Sequence, residues 1–247
     1  MAAVIGVTGL ALEARIAEDG YTCAICGGDD SKLAGSLASA VAGDCRGLIS
    51  FGVAGGLSPD LRAGTCIVGS MIVAASIEFA TDRSWSQALL GLIPDAIHGA
   101  IAGVTTAVAY PEAKRSLHMS TGALAVDNES HVVASVAASR GLPMAAVRVI
   151  MDPAARELPA AALAALRTNG TIDLGALIQS IVRQPGDLPM LLRIAVDASI
   201  GFAALLRCRQ LLGPGLGLPA LQARGPKLDP SIDIPLYGLH SRHLEPL

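Results

Sequence analysis

The sequence is short of aromatic and charged residues: Phe, Trp and Tyr make up 3% of its 247 residues, and Asp, Glu, Lys and Arg only 16%. With 52% apolar residues, such a chain buries enough surface to offset its conformational entropy, which excludes global disorder. A basic excess is also missing. Lys and Arg number 18 against 21 Asp and Glu, the net charge is −3, and no block of like charge stands out. A nucleic-acid footprint needs a basic stripe, so no nucleic-acid partner is expected. Long apolar runs are lacking as well. The stretch 96–111, about 16 residues without Asp, Glu, Lys or Arg, falls short of the roughly 20 strongly apolar residues of a spanning helix. No transmembrane segment is expected. Residues 1–12 have no Lys or Arg in front, as a signal peptide would, and read as a first strand. The five cysteines are odd in number and scattered, so no disulfide framework follows, and a reducing cytoplasm is the expected compartment. Cys23 and Cys26 form a CxxC without a second pair and are expected to be buried structural thiols. The five histidines show no metal spacing, and no metal is expected.

What is present is an alternation of short apolar runs with helical spacing. Strands are expected at 3–7, 21–26, 47–51, 102–109, 123–126 and 144–150, with one or two more within 66–78. Helices are expected at 10–18, 32–41, 84–90, 112–118 and 129–139. This order implies an α/β fold with a mostly parallel sheet, its strands apolar on both faces. From residue 160 the pattern turns helical, with helices at 172–183 and 188–212 separated by Gln184-Pro185-Gly186. Residues 1–212 are read as one domain, of which 155–212 is the helical part, and 213–247 as an irregular tail.

In parallel α/β sheets ligands sit at the carboxyl ends of strands, and three such ends are notable. Gly6-Val7-Thr8-Gly9 leaves the first strand and opens a helix, where backbone amides attract an anion, with Arg15 about two turns in. Gly52-Val53-Ala54-Gly55-Gly56 follows the third strand and has the glycine content of a close backbone approach, yet matches neither a dinucleotide nor a P-loop fingerprint. Asp127-Asn128-Glu129 and Asp152 end two further strands. Their carboxyl groups suit sugar hydroxyls and protonation of a leaving base, and equally suit helix caps.

Together these segments resemble the purine nucleoside phosphorylase / methylthioadenosine–adenosylhomocysteine nucleosidase superfamily. The resemblance rests on 47–57 (GLISFGVAGGL), 125–131 (AVDNESH) and 146–153 (AVRVIMDP) and covers residues 1 to about 155. The segment 188–217, ending in LLGPGLG, is most similar to the hopanoid-associated branch, which releases adenine from adenosylhopane. The resemblance implies a three-layer α/β/α fold with a central mixed, mostly parallel sheet plus C-terminal helices, a homodimer or hexamer, and cleavage of a purine N-glycosidic bond. It implies that Glu129, with Asn128 beside it, binds the ribose and that Asp152 hydrogen-bonds and protonates the purine. Ala54, Gly55 and Met151 would flank the purine; Gly9, Arg15 and Gly52 would hold phosphate or a water nucleophile. No cofactor is implied beyond phosphate as a co-substrate.

The chemistry agrees with these residue types, since breaking C1′–N9 leaves a cationic sugar and an anionic purine, and a buried acid neutralises the purine. The chain departs from the family pattern at Asn128 (usually Met), Met151 (usually Ser) and Val53 (often Ser or Thr). The nucleosidases' water-activating Glu falls near Ala14, between Glu13 and Arg15. On that count phosphorolysis of a lipid-linked adenosine such as adenosylhopane is expected, by an enzyme in the cytoplasm or peripheral to the inner membrane. Hydrolysis of methylthioadenosine or adenosylhomocysteine and a non-catalytic nucleoside-binding role are the alternatives.

Overall fold

The apolar run Val4–Thr8 forms β1, buried along its whole length, at the centre of a parallel trio with β2 (Thr22–Cys26) and β3 (Gly47–Gly56). The computed structural model describes residues 3–27, 29–159, 171, 186 and 188–222. The helix expected at 172–183 and the tail beyond 222 lie outside the described residues. Beyond β3 lie β8 (Met144–Asp152), parallel to it, and then β4 (Cys66–Ala74), antiparallel to β8. β4 also carries β5 (Ile77–Ala80), paired antiparallel through a turn in which Ala75 takes a positive φ of 51°. On its other side it pairs with β6 (Ile97–Gly103), which pairs in turn with β7 (Ala125–Asp127). β7 then returns to β3 at Gly55–Val126 and Gly56–Ala125.

The sheet is therefore mixed and mostly parallel, as expected. It also closes on itself, because β3, β8, β4, β6 and β7 form a ring. Two strand expectations are corrected. β3 does not stop at Phe51 but runs through the glycines to Gly56, and β6 occupies Ile97–Gly103, leaving 104–109 as a loop. Cys23, expected inside, is exposed because it alternates outward on β2.

Helices cover both faces. α1 (Ala11–Ala17), α3 (Arg83–Leu92) and the long α6 (Leu188–Leu212) bring Ala17, Trp85, Leu89, Leu205 and Leu212 against Ile49, Phe51, Val147 and Val149. The alternate residues Leu48, Ala146 and Ile150 meet α2 (Asp30–Ala40) and α5 (Ser130–Arg140) through Leu33, Leu37, Val132 and Val133. α4 (Pro111–Thr121) begins with a proline at its first turn, where a missing N–H costs nothing, and ends at Gly122 in the left-handed region.

α6 has the length and composition to cross a membrane, with a mean hydropathy of 1.6. It rests on the sheet through Gly201, Leu205, Cys208 and Leu212, while Leu188, Leu192, Val196 and Ile200 are exposed. A 3₁₀ turn (Pro214–Gly217) and α7 (Pro219–Gln222) form the described part of the expected tail. The Trp85 Nε1–H donates to the Leu216 carbonyl at 3.0 Å, and Asp19 accepts from Arg209 at 2.6 Å and from the Gly215 amide at 3.1 Å.

Candidate active site

The ends of β1, β3, β7 and β8 surround one cavity of about 330 Å³, within the range of small-molecule sites. Gly9, Ala54, Gly55, Asn128, Glu129, Met151 and Asp152 all line it, so residues far apart in sequence meet here. Two others named from the sequence do not line it. Arg15 is exposed on α1, and Gly52 lies behind the wall, against Glu13. Leu10, Val53, Val126, Ala107, Val108 and Leu158 supply an apolar lining, and the Leu158 amide is held to the Ala109 carbonyl at 3.0 Å.

Glu13 is the residue that sequence reasoning passed over. Helical phase turns it inward and Arg15 outward, and Glu13 is only 1% exposed. Its Oε2 accepts the amides of Gly9 (2.8 Å) and Leu10 (2.7 Å), and its Oε1 accepts that of Val53 (2.6 Å). A glutamate at the third helical position, reaching back to the amide that precedes the helix, is half of a capping box. That signal was in the sequence. Burial raises the Glu13 pKa, opposed by the charge of Arg148 and the three amides.

Arg148, in the middle of β8, is the cation at the base of this group. Fully buried, it contacts Asp127 (Nε–Oδ2 2.8 Å), Glu129 (Nη2–Oε2 3.1 Å), Ser50 Oγ (2.5 Å) and the Val53 carbonyl (3.2 Å). A charge within an otherwise apolar strand has to find partners inside. Asp127 is fixed in turn, accepting the amides of Glu129 (3.0 Å) and Ser130 (2.7 Å) and the Ser130 hydroxyl. This turn presents Glu129 to the cavity. Burial, Asp127 and Glu13 push the Glu129 pKa up to about 7 against the pull of Arg148.

Three glycines make room for these acids. A Cβ on Gly9 would lie 2.9 Å from Glu129 Oε1, one on Gly27 2.7 Å from Glu129 Cγ, and one on Gly52 2.7 Å from the Glu13 carboxyl. The anion that the glycine-rich segments accommodate is thus the protein's own.

Asp152 lines the same cavity. Residues 153–159 form no helix, so Asp152 does not serve as a cap. Its Oδ2 pairs with Lys114 Nζ at 2.6 Å, and its Oδ1 is buried without a hydrogen-bond partner among the described residues. Burial raises its pKa to about 6, and Lys114 restrains the rise.

Residues 16–183 match the model of the phosphorylase superfamily. No curated protein matches the chain in sequence. Among solved structures, futalosine hydrolase of Helicobacter pylori is similar at 18% identity and a TM-score of 0.54, over 74% of this chain and 99% of that one. The 5′-methylthioadenosine/S-adenosylhomocysteine nucleosidase of H. pylori, solved in complex with a pyrrolidinol compound, gives 18% identity and a TM-score of 0.54 over 74% and 100%. The S-adenosylhomocysteine nucleosidase of Streptococcus pyogenes gives 15% identity and 0.59 over 86% and 98%. At these identities the likeness is one of fold.

Proposed function

The chain belongs to the phosphorylase superfamily, and we propose that its cavity cleaves the N-glycosidic bond of an adenine nucleoside by hydrolysis. The observation that carries this reading is the position of Glu13. It shares one cavity with Glu129 and Asp152, and Arg148 lies directly beneath. The nucleosidase and hydrolase activities named for the structures of like fold support the same reaction class.

Each residue then has one task. Glu129 accepts the ribose hydroxyls and offsets positive charge growing on the sugar. Asp152, protonated, donates to purine N7. Glu13, its basicity raised by burial, takes a proton from water as the water oxygen bonds to C1′. The C1′–N9 electron pair leaves with the purine, and the proton from Asp152 neutralises it. The products are adenine and the free sugar.

The electrostatics of the lining favour water over phosphate. Glu13, Asp127, Glu129 and Asp152 line the cavity, and none of the described lining residues is Lys or Arg. Arg148 is engaged by hydrogen bonds to Ser50, the Val53 carbonyl and Glu129 and by an ion contact with Asp127. A phosphate dianion would meet carboxyl groups with no cation among the described lining residues, which supports hydrolysis over the phosphorolysis expected from the sequence. On the substrate's 5′ side an apolar substituent suits the wall of Leu10, Val108, Met151 and Leu158. Methylthioadenosine and adenosylhopane both carry one.

The test is adenine release from these two nucleosides with and without phosphate. Rates independent of phosphate are expected, and Glu13→Gln should lose about 10²–10⁴-fold in kcat. A strict phosphate requirement, or full activity of Glu13→Gln, would overturn the hydrolytic reading.

A further inference from the structure

Lys114, on α4, is fully buried, and its Nζ touches three oxygens: Asp152 Oδ2 at 2.6 Å, the Arg156 carbonyl at 2.9 Å and the Pro153 carbonyl at 3.1 Å. An ammonium has three donors and no acceptor, so every proton is used. The nitrogen is thereby held charged, although burial draws its pKa down against the pull of Asp152. The Asp152 carboxyl becomes asymmetric. Its Oδ2 accepts from the Lys114 ammonium, while Oδ1 is buried and without a partner among the described residues. A carboxyl group so placed carries its acidic proton on Oδ1, because a proton on Oδ2 would point at the ammonium.

We propose that Lys114 is a positioning residue for proton donation: it confines the proton of Asp152 to Oδ1 and stabilises the carboxylate left behind. The inference rests on Asp152 being the acid of the proposed reaction. In that step the Oδ1–H bond breaks, the proton passes to purine N7, and the electron pair stays on Oδ1. The new carboxylate then forms a full ion pair with the Lys114 ammonium.

The other charged groups near Asp152 are Arg156, after β8, and Asp197, on α6. They pair with each other at 2.6 Å and largely cancel. Asp127 and Glu129 line the same cavity and are engaged by Arg148. Among the described residues, Lys114 is the charged side chain in direct contact with Asp152. A purely structural alternative exists, in which Lys114 only fastens the 153–156 turn through its two carbonyl contacts.

Three variants of the full chain separate these roles: Lys114→Met, Lys114→Gln, which keeps a donor without charge, and Lys114→Arg, which keeps the charge. The first readout is the ¹³C NMR titration of the Asp152 carboxyl carbon, assigned with Asp152→Asn. The second is the pH profile of kcat/KM for adenine release from methylthioadenosine. Removing the charge should raise the Asp152 midpoint by about one pH unit or more. It should lower kcat about 10- to 100-fold with a smaller change in KM. Lys114→Arg should restore the midpoint. A midpoint that stays put in Lys114→Gln or Lys114→Met, or normal kcat in either, would overturn the proposal. Failure of the wild-type chain to release adenine from either nucleoside would instead defeat the functional reading, and the titration would still decide whether Lys114 governs Asp152.

Discussion

Replacing Arg148 by methionine isolates the cation on which the candidate site is built. Methionine keeps most of the stem and removes the guanidinium, which contacts Asp127 at 2.8 Å and Glu129 at 3.1 Å. Removing one partner of a buried ion pair typically costs about 3–5 kcal/mol, because the other charge stays buried and unpaired. Here the carboxyl groups left behind have an escape, since they can bind protons. Burial already holds Glu129 up at about 7 and raises Glu13, and Arg148 opposes both. Without Arg148 both rise further. A carboxyl whose folded-state pKa exceeds its unfolded value contributes stability below the unfolded value and loses it as pH rises through the folded one. The cost of Arg148→Met should therefore reach about 3–5 kcal/mol at pH 8. At pH 5 it should shrink toward the about 1–2 kcal/mol of lost hydrogen bonds. Denaturant unfolding of both proteins at the two pH values measures this difference. An equal loss at pH 5 and pH 8 would refute the reasoning and reduce Arg148 to a packing element.

Three other outcomes follow from the same geometry. In the wild-type enzyme kcat/KM should fall as pH rises through about 6, where Asp152 loses its proton, and Asp152→Asn should flatten that limb as well as slow the reaction. Gly9→Ala places a methyl group 2.9 Å from Glu129 Oε1, so KM for the nucleoside should rise with little change in thermal stability, as steady-state kinetics beside a melting curve would show. Trp85→Phe removes the 3.0 Å hydrogen bond to Leu216 and leaves that buried carbonyl unpaired, which should cost about 1–3 kcal/mol in denaturant unfolding without altering adenine release.

The strands that carry Glu129 and Asp152 were legible in the sequence, because β7 and β8 are apolar runs that stop at acidic residues. The rule that ligands gather at carboxyl strand ends brought these two side chains to one crevice before any coordinates. What escaped depended on phase and on distant pairing. Glu13 and Arg15 are two residues apart on a seven-residue helix, and only the rotation of α1 on the sheet decides which faces inward. Lys114 stands beside Arg115 in a helix that reads as a solvated surface, and nothing local marks it as the buried one. Arg148 went unread as well, although a lone charge in an apolar strand is a pattern that implies internal partners. The closure of the sheet at Gly55 and Gly56 depends on β7, some 70 residues away, and periodicity does not carry contacts over that distance.

The glycines at positions 9, 27 and 52 bind the evolutionary fate of the acids to their own. Each leaves a hollow shaped to a carboxylate, so any larger residue there evicts Glu13 or Glu129, while shortening either acid opens a void that an alanine at the matching glycine would fill. Single substitutions on either side should then be penalised and paired ones tolerated. A descendant of this chain that abandoned the chemistry should therefore show its glycines and glutamates lost together, a signature readable in sequence alone.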